Sequence, residues 1–112
     1  MIVPDASVLV DLLRRSDGWE ALATRLFRDG ETLHAPHVVD LEIAQALRGL
    51  VRRRETGPNR AAEALTDLGE LPLYRYPHTH LVVRIWEIRD SLTAYDASYV
   101  ALSEALDATL LT

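Results

Sequence analysis

The sequence predicts an α/β fold in which a central parallel β-sheet lies between two layers of helices. Short apolar segments alternate along the chain with longer segments whose apolar residues recur at helical spacing. Hydrophobic residues make up 48% of the 112 residues and charged residues 26%, as in an ordinary globular domain. Because chains of this length usually form one domain, we expect residues 1–112 to be a single α/β/α unit.

Two helix-capping patterns help to place the elements in the first half of the chain. Asp5 directly follows an apolar segment and is a suitable N-cap for the helix after it. Asp17 and Glu20 have the spacing of a capping box, which predicts the start of a second helix that ends at Gly30. The predicted elements are a strand at 2–4, a helix at 6–15, a helix at 17–30, a strand at 32–35 and a helix at 38–53.

The second half begins after the break at Gly57 and Pro58. The predicted elements are a helix at 59–68, a short strand within 71–76, a helix at 80–92, a helix at 93–106 and a terminal strand at 109–112. In the helix at 80–92, Leu81, Ile85 and Trp86 share one face with Ile88, so we expect Trp86 to be in the core or half-buried. The alternation of strands and helices favours a parallel sheet covered on both faces.

Composition excludes several classes of protein. The chain has no cysteine, which removes disulfide frameworks, thiolate zinc sites and cysteine nucleophiles. All 12 basic residues are arginine, so mechanisms that need a catalytic lysine are also excluded. The net charge of -5 argues against coating nucleic acid by bulk positive charge. The sequence shows neither a secretory signal nor a membrane span, so we expect a cytoplasmic protein.

Three acidic residues from distant parts of the chain are predicted to meet at one edge of the sheet. Asp5 follows the first strand, Glu42 lies early in the helix after the second strand, and Asp96 begins the helix before the last strand. Ligands of open parallel sheets bind outside the carboxyl ends of the strands, which is where these acids should lie. Close carboxylates repel one another and are tolerated mainly when a cation neutralises them. Oxygen ligands without sulfur favour Mg²⁺ or Mn²⁺.

Each of these acids also has a purely structural interpretation. Asp5 could be an N-cap alone, Asp96 could belong to a capping box with Thr93, and Glu42 could simply favour the helix dipole. Taken together, their convergence favours a metal site. Asp40 lies on the other side of the helix that carries Glu42, so we interpret it as a solvated or structural acid.

Three segments carry a resemblance to a known family. They are DASVLVDLL (5–13), HVVDLEIAQALR (37–48) and LTAYDASYVALSEAL (92–106). In this order and spacing they resemble the PIN-domain ribonucleases, in particular the VapC toxins of bacterial toxin–antitoxin pairs. The resemblance covers essentially the whole chain. It implies a PIN-like parallel sheet between helices, and Mg²⁺ or Mn²⁺ held by acids that map to Asp5, Glu42 and Asp96.

The resemblance further implies an endoribonuclease that hydrolyses RNA, is controlled by a cognate VapB-like antitoxin and forms a homodimer. Ser7 matches a family position that often carries a hydroxyl near the metal. The family usually places a fourth acid just after the strand that ends here at Thr112, so the sequence given is expected to lack the C-terminal segment.

Two other functions remain open at the level of sequence. One is a non-catalytic PIN-like module that binds RNA or protein, and the other is a phosphohydrolase that acts on small molecules through the same acids. An arginine cluster around residues 48–60 is interpreted as a solvated face rather than an RNA or antitoxin contact. Tyr95 and Tyr99 flank Asp96, and stacking on an RNA base is an alternative to a core role for them.

Overall fold

A computed structural model describes all 112 residues and contains six α-helices around a four-stranded sheet. The strands are β1 (Ile2–Pro4), β2 (Leu33–Pro36), β3 (Leu73–Tyr76) and β4 (Thr109–Leu111). The helices are α1 (Ala6–Leu13), α2 (Trp19–Leu26), α3 (Val39–Arg52), α4 (Pro58–Glu70), α5 (Val82–Glu87) and α6 (Ala94–Leu106). A single 3-10 turn, Thr79–Leu81, leads into α5.

The sheet is entirely parallel, with the strand order β3-β2-β1-β4. The two inner strands, β1 and β2, are buried along their whole length because helices cover both of their faces. In the register of β1 with β4, Pro4 lies opposite Leu111. The residues that follow these two positions, Asp5 and Thr112, therefore lie side by side at the carboxyl edge of the sheet.

The helices divide into two groups. Helices α1 to α4 pack against one another, whereas α6 packs against β1, β2 and α5. The buried face of α3 consists of Val39, Ile43, Leu47 and Leu50, spaced three or four residues apart, as an amphipathic helix requires. One apolar cluster of 22 buried residues joins the helices to the sheet. The prediction of an α/β/α fold with a central parallel sheet is confirmed.

The predicted capping box at the start of α2 is wrong. The N-cap is Gly18, with a φ of 84°, and no side chain caps the helix. The Trp19 amide instead donates a hydrogen bond to the Ser16 carbonyl. Gly18 turns the chain through the left-handed region, which glycine adopts at little cost, and this tight turn replaces the capping box. Helix α2 also ends earlier than predicted, at Leu26.

The predicted helix at 80–92 is also wrong in extent. The chain forms the 3-10 turn and then only the six residues of α5, Val82–Glu87. Leu81 is buried, but Trp86 is 66% exposed, so the expected core position of Trp86 is wrong. The guanidinium of Arg89 lies 4.5 Å from the centre of the Trp86 ring and covers part of its face. Trp86 is therefore the one residue of this predicted face that meets solvent, since Leu81 is buried and Ile85 and Ile88 are half-buried.

None of the helices combines the length and the apolar character that crossing a membrane requires.

Candidate active site

Asp5 is held at the carboxyl edge of the sheet by two hydrogen bonds. Its Oδ1 accepts a hydrogen bond from the Val8 amide, with an N–O distance of 3.0 Å. Asp5 is therefore the N-cap of α1, as predicted. The same Oδ1 accepts the hydroxyl of Ser7 at 2.6 Å. Both bonds use one oxygen, so Oδ2 has no hydrogen-bond donor within the chain. Capping and ligand binding are therefore compatible roles for this side chain.

Asp96 and Asp5 line the same cavity, which has a volume of about 290 Å³. It lies in the first turn of α6, where its amide donates to the Thr93 Oγ1 at 3.2 Å, as in the predicted cap. The Asp96 side chain is exposed and accepts no hydrogen bond from the protein. Tyr99 and Thr112 also line this cavity. The structure therefore brings two of the three predicted acids together at the same opening.

Glu42, on α3, is linked to this cavity by a hydrogen bond with Tyr99, one of the cavity's lining residues. Its Oε1 accepts the hydroxyl of Tyr99 at 2.6 Å, and Tyr99 is only 3% exposed. Burial raises the pKa of Tyr99 well above its usual range, and the hydrogen bond and charge of Glu42 raise it further. The charges of Asp5 and Asp96 add to this rise in the Tyr99 pKa. All three predicted acids therefore act electrostatically on one buried hydroxyl.

None of these three acids forms an ion pair with an arginine. Asp40, two residues before Glu42, behaves differently. Its Oδ2 accepts Nε of Arg75 at 2.8 Å, and its Oδ1 accepts Nη2 of Arg75 at 2.8 Å. This two-point bond raises the pKa of Arg75. Asp40 thus ties α3 to β3, which agrees with its interpretation as a structural acid.

The chemistry of the three acids fits a hard divalent cation, although their present spacing does not complete a site. No three His, Asp or Glu side chains lie close enough to hold a metal ion together. Asp5 and Asp96 share the cavity, whereas Glu42 is directed to the Tyr99 hydroxyl at its margin. The available donors are carboxylate oxygens with no sulfur or imidazole, a set suited to Mg²⁺ or Mn²⁺.

Sequence reasoning singled out the acids but not the contact that joins them. Tyr99 follows Asp96 by three residues and so lies on the same face of α6, a spacing that the sequence does show. That its hydroxyl reaches Glu42, 57 residues away, depends on how α6 and α3 pack. The sequence left a core role and base stacking open for both tyrosines. Tyr99 is a core residue, whereas Tyr95 is 60% exposed.

Comparison with known proteins identifies the family to which this fold belongs. A family model described as "PIN domain" matches residues 2–112, which is nearly the whole chain. The chain belongs to the PIN-domain family. The resemblance deduced from the three segments is thereby confirmed.

Curated relatives of this PIN domain are VapC ribonucleases. The chain is 47% identical over 113 residues to VapC ribonuclease Mb0985 of Mycobacterium bovis, covering 100% of this chain and 84% of the relative. It is 40% identical over 111 residues to ribonuclease VapC1 of Mycobacterium tuberculosis, covering 98% of this chain and 83% of the relative. These values place the PIN domain among the VapC ribonucleases over its whole length.

Solved structures show the same fold at much lower identity. VapC20 of Mycobacterium tuberculosis, described as a toxin that cleaves the sarcin–ricin loop, superposes with a TM-score of 0.69 at 19% identity. That match covers 96% of this chain and 85% of VapC20. VapBC2 of Rickettsia felis, solved bound to a DNA fragment from its promoter, has a TM-score of 0.68 at 15% identity. It covers 100% of this PIN domain and 87% of the matched chain.

Proposed function

We propose that this protein is the endoribonuclease toxin of a toxin–antitoxin pair, and that it hydrolyses RNA phosphodiester bonds with a divalent cation held by Asp5, Glu42 and Asp96. The observation that carries the proposal is a cavity at the carboxyl edge of the sheet that Asp5 and Asp96 line together, with Glu42 bonded to the Tyr99 hydroxyl at its margin and no arginine paired with any of the three acids. The likeness to named VapC ribonucleases supports the activity.

Asp5, Asp96 and Glu42 would hold Mg²⁺ or Mn²⁺. When bound, such a cation lowers the pKa of a water ligand and offsets charge on the phosphate oxygens. The protein's part is positioning. Ser7 and the Val8 amide fix one oxygen of Asp5, and the Tyr99 hydroxyl fixes one oxygen of Glu42. In each case the second carboxylate oxygen stays available for a ligand.

A fourth acid close to the end of β4 would strengthen this site. Thr112 lines the cavity with Asp5 and Asp96, so a carboxylate placed shortly after it would face the same opening. A longer form that carries such an acid should bind the cation more tightly, since hard cations prefer several carboxylate oxygens. We propose residues 1–112 as a single PIN-like domain.

We also propose a cognate VapB-like antitoxin as the partner, a homodimer as the assembly and the cytoplasm as the location. The antitoxin has support from the VapBC2 structure, whose fold this chain shares. The homodimer and the cytoplasmic location rest on the family resemblance alone.

The alternative of a non-catalytic PIN-like binding module is not favoured, because the full-length relatives are named as ribonucleases. The alternative of a small-molecule phosphohydrolase has no supporting observation in the site.

Incubation of the purified protein with structured RNA in Mg²⁺, in Mn²⁺ and in excess chelator tests the proposal. We expect endonucleolytic fragments with either cation and intact RNA in chelator. Intact RNA under all three conditions would contradict the proposed activity. Cleavage that persists in chelator would contradict the metal dependence instead.

A further inference from the structure

Two of the three acids use one carboxylate oxygen each to accept hydrogen bonds from the protein. Oδ1 of Asp5 accepts two such bonds, from the Val8 amide at 3.0 Å and from the Ser7 hydroxyl at 2.6 Å. Both lone pairs of this oxygen are therefore in use. Oε1 of Glu42 accepts the Tyr99 hydroxyl at 2.6 Å. Oδ2 of Asp5 and Oε2 of Glu42 accept no hydrogen bond from the protein, so each acid has one oxygen left for a ligand.

The position of the bonded Glu42 oxygen is set by the core of the protein. Tyr99 is 3% exposed and belongs to the apolar cluster that joins the helices to the sheet. Glu42 itself is only half-buried and has no ion-pair partner. Because a ring packed in the core has little freedom to move, the Tyr99 hydroxyl holds the Glu42 carboxylate at a defined place between α6 and α3.

Carboxylates that offer one oxygen each suit some divalent cations better than others. Mg²⁺ requires a near-octahedral set of short bonds, keeps several waters and is usually held by one or two carboxylates. Ca²⁺ takes about six to eight oxygens and often binds both oxygens of one carboxylate. To bind Glu42 in that way, Ca²⁺ would have to share Oε1 with the Tyr99 hydroxyl. The hydrogen bond therefore disfavours the larger cation.

We propose that Tyr99 determines which cation the acid site accepts, because its hydroxyl limits Glu42 to one ligand oxygen and thereby favours Mg²⁺ or Mn²⁺ over Ca²⁺. Tyr99 is a positioning residue, since it acts through Glu42. The inference rests on the proposed function and extends it, because it assigns the cation selectivity of the site to a single hydrogen bond between α6 and α3.

Titration calorimetry with Mn²⁺ alone and with Ca²⁺ alone measures this selectivity in the absence of RNA. Tyr99→Phe keeps the ring and removes the hydroxyl, so we expect it to weaken Mn²⁺ binding about tenfold. Ca²⁺ affinity should change less than about twofold, because the freed Oε1 of Glu42 offsets the loss of orientation. The ratio of Mn²⁺ affinity to Ca²⁺ affinity should therefore fall about five- to tenfold. A role in packing alone would leave this ratio unchanged.

Tyr76→Phe is the matched control. The Tyr76 hydroxyl also lies 2.6 Å from one buried side chain, the ring of His34, but β2 separates the strand of Tyr76 from the strand that leads into Asp5. This variant loses a comparable hydrogen bond away from the acids. It should therefore keep the ratio of Mn²⁺ affinity to Ca²⁺ affinity at the parent value.

Two further variants test whether Tyr99 acts through Glu42. In a Glu42→Gln background, Tyr99→Phe should change the Mn²⁺ affinity by less than about twofold, because the charged ligand that it positions is already lost. Glu42→Asp keeps the charge but withdraws the carboxylate from the Tyr99 hydroxyl, so the ratio of affinities should fall as it does in Tyr99→Phe. This variant keeps the test decisive if Tyr99→Phe fails to fold.

Three results would overturn the inference. They are an unchanged ratio of affinities in Tyr99→Phe and Glu42→Asp, a full effect of Tyr99→Phe in the Glu42→Gln background, and a parent protein that binds Ca²⁺ as tightly as Mn²⁺. If the parent protein still binds Mn²⁺ and cleaves RNA, the proposed function stands and only the role of Tyr99 fails. A parent protein that binds no Mn²⁺ would overturn both.

Discussion

Asp40 and Glu42 lie two residues apart on α3 and show two different uses of a carboxylate. Asp40 accepts two hydrogen bonds from Arg75 at 2.8 Å each, which join α3 to β3. Glu42 has no cationic partner. It accepts a hydrogen bond from the neutral hydroxyl of Tyr99, whose pKa the charges of Asp5 and Asp96 also raise. The difference shows that a cation site is indicated less by the number of acids than by acids that have no arginine partner.

The largest expected effect of this difference is on RNA cleavage. Asp5→Asn, Glu42→Gln and Asp96→Asn should each lower the rate about a hundredfold or more, because each removes a charged ligand from a shared cation. Asp40→Asn is the matched control and should stay within a few fold of the parent. The measurement is single-turnover cleavage of a labelled RNA in Mn²⁺.

Stability separates a lost ligand from a lost fold in these variants. At least one of the three should melt no lower than the parent in chelator, because removing one of several repelling carboxylates relieves strain. If all three unfold, the acids are structural caps and the proposed site is wrong. A collapse of activity in Asp40→Asn comparable to that in Glu42→Gln would show that the wrong acid on α3 was chosen.

A smaller effect is expected on folding when the Asp40 contact is broken. Asp40→Asn should lower the free energy of unfolding by about 1 kcal/mol, since the pair is bidentate but partly exposed to solvent. The comparison is Glu63→Gln, which breaks the more exposed pair with Arg60 and should cost less than about 0.5 kcal/mol. Urea unfolding of both variants measures the difference. An equal loss of unfolding free energy in the two variants would contradict a structural role for Asp40.

The smallest effect concerns a buried histidine on β2. His34 is 5% exposed; its Nδ1 lies 2.6 Å from the Tyr76 hydroxyl and its Nε2 lies 2.7 Å from the Thr32 hydroxyl. Burial, and secondarily the charge of the N-terminus, lowers the His34 pKa below 6.5. As pH falls below about 6.5, the unfolded chain therefore takes up a proton that the folded protein resists, and stability decreases.

Replacement of His34 isolates this contribution. His34→Gln should flatten the fall in the free energy of unfolding between about pH 7 and 5, whereas the exposed His37→Gln should keep it. Urea unfolding across that range is the measurement. If the free energy of unfolding fell equally with pH in the parent and in His34→Gln, His34 would not be the source of the pH dependence.

Much of the fold follows from local signals in the sequence. The N-caps Asp5 and Thr93 depend on neighbours within four residues, and the structure contains both as predicted. The wrong predictions concern positions whose structure depends on tertiary packing rather than on neighbouring residues. The Asp17–Glu20 spacing matches a capping box, but Gly18 is the N-cap of α2. Trp86 shares a predicted face with the buried Leu81, yet its own side chain is exposed.

The site was predictable only in part for the same reason. Strand ends and helix starts place Asp5, Glu42 and Asp96 near one edge, and the structure brings Asp5 and Asp96 to one cavity. The Tyr99 link to Glu42 and the Arg75 link to Asp40 join residues 57 and 35 positions apart. Such contacts depend on how whole helices and strands are placed, which no local pattern encodes.

Calorimetric titration of Mn²⁺ into the parent, Glu42→Gln, Asp96→Asn and Asp40→Asn proteins tests the central claim most directly. We expect the parent and Asp40→Asn to bind equally, and Glu42→Gln and Asp96→Asn to bind about five- to thirtyfold more weakly, a loss of roughly 1 to 2 kcal/mol. Equal affinity in all four proteins, or weakening by Asp40→Asn alone, would contradict the assignment of the cation to the acids without arginine partners.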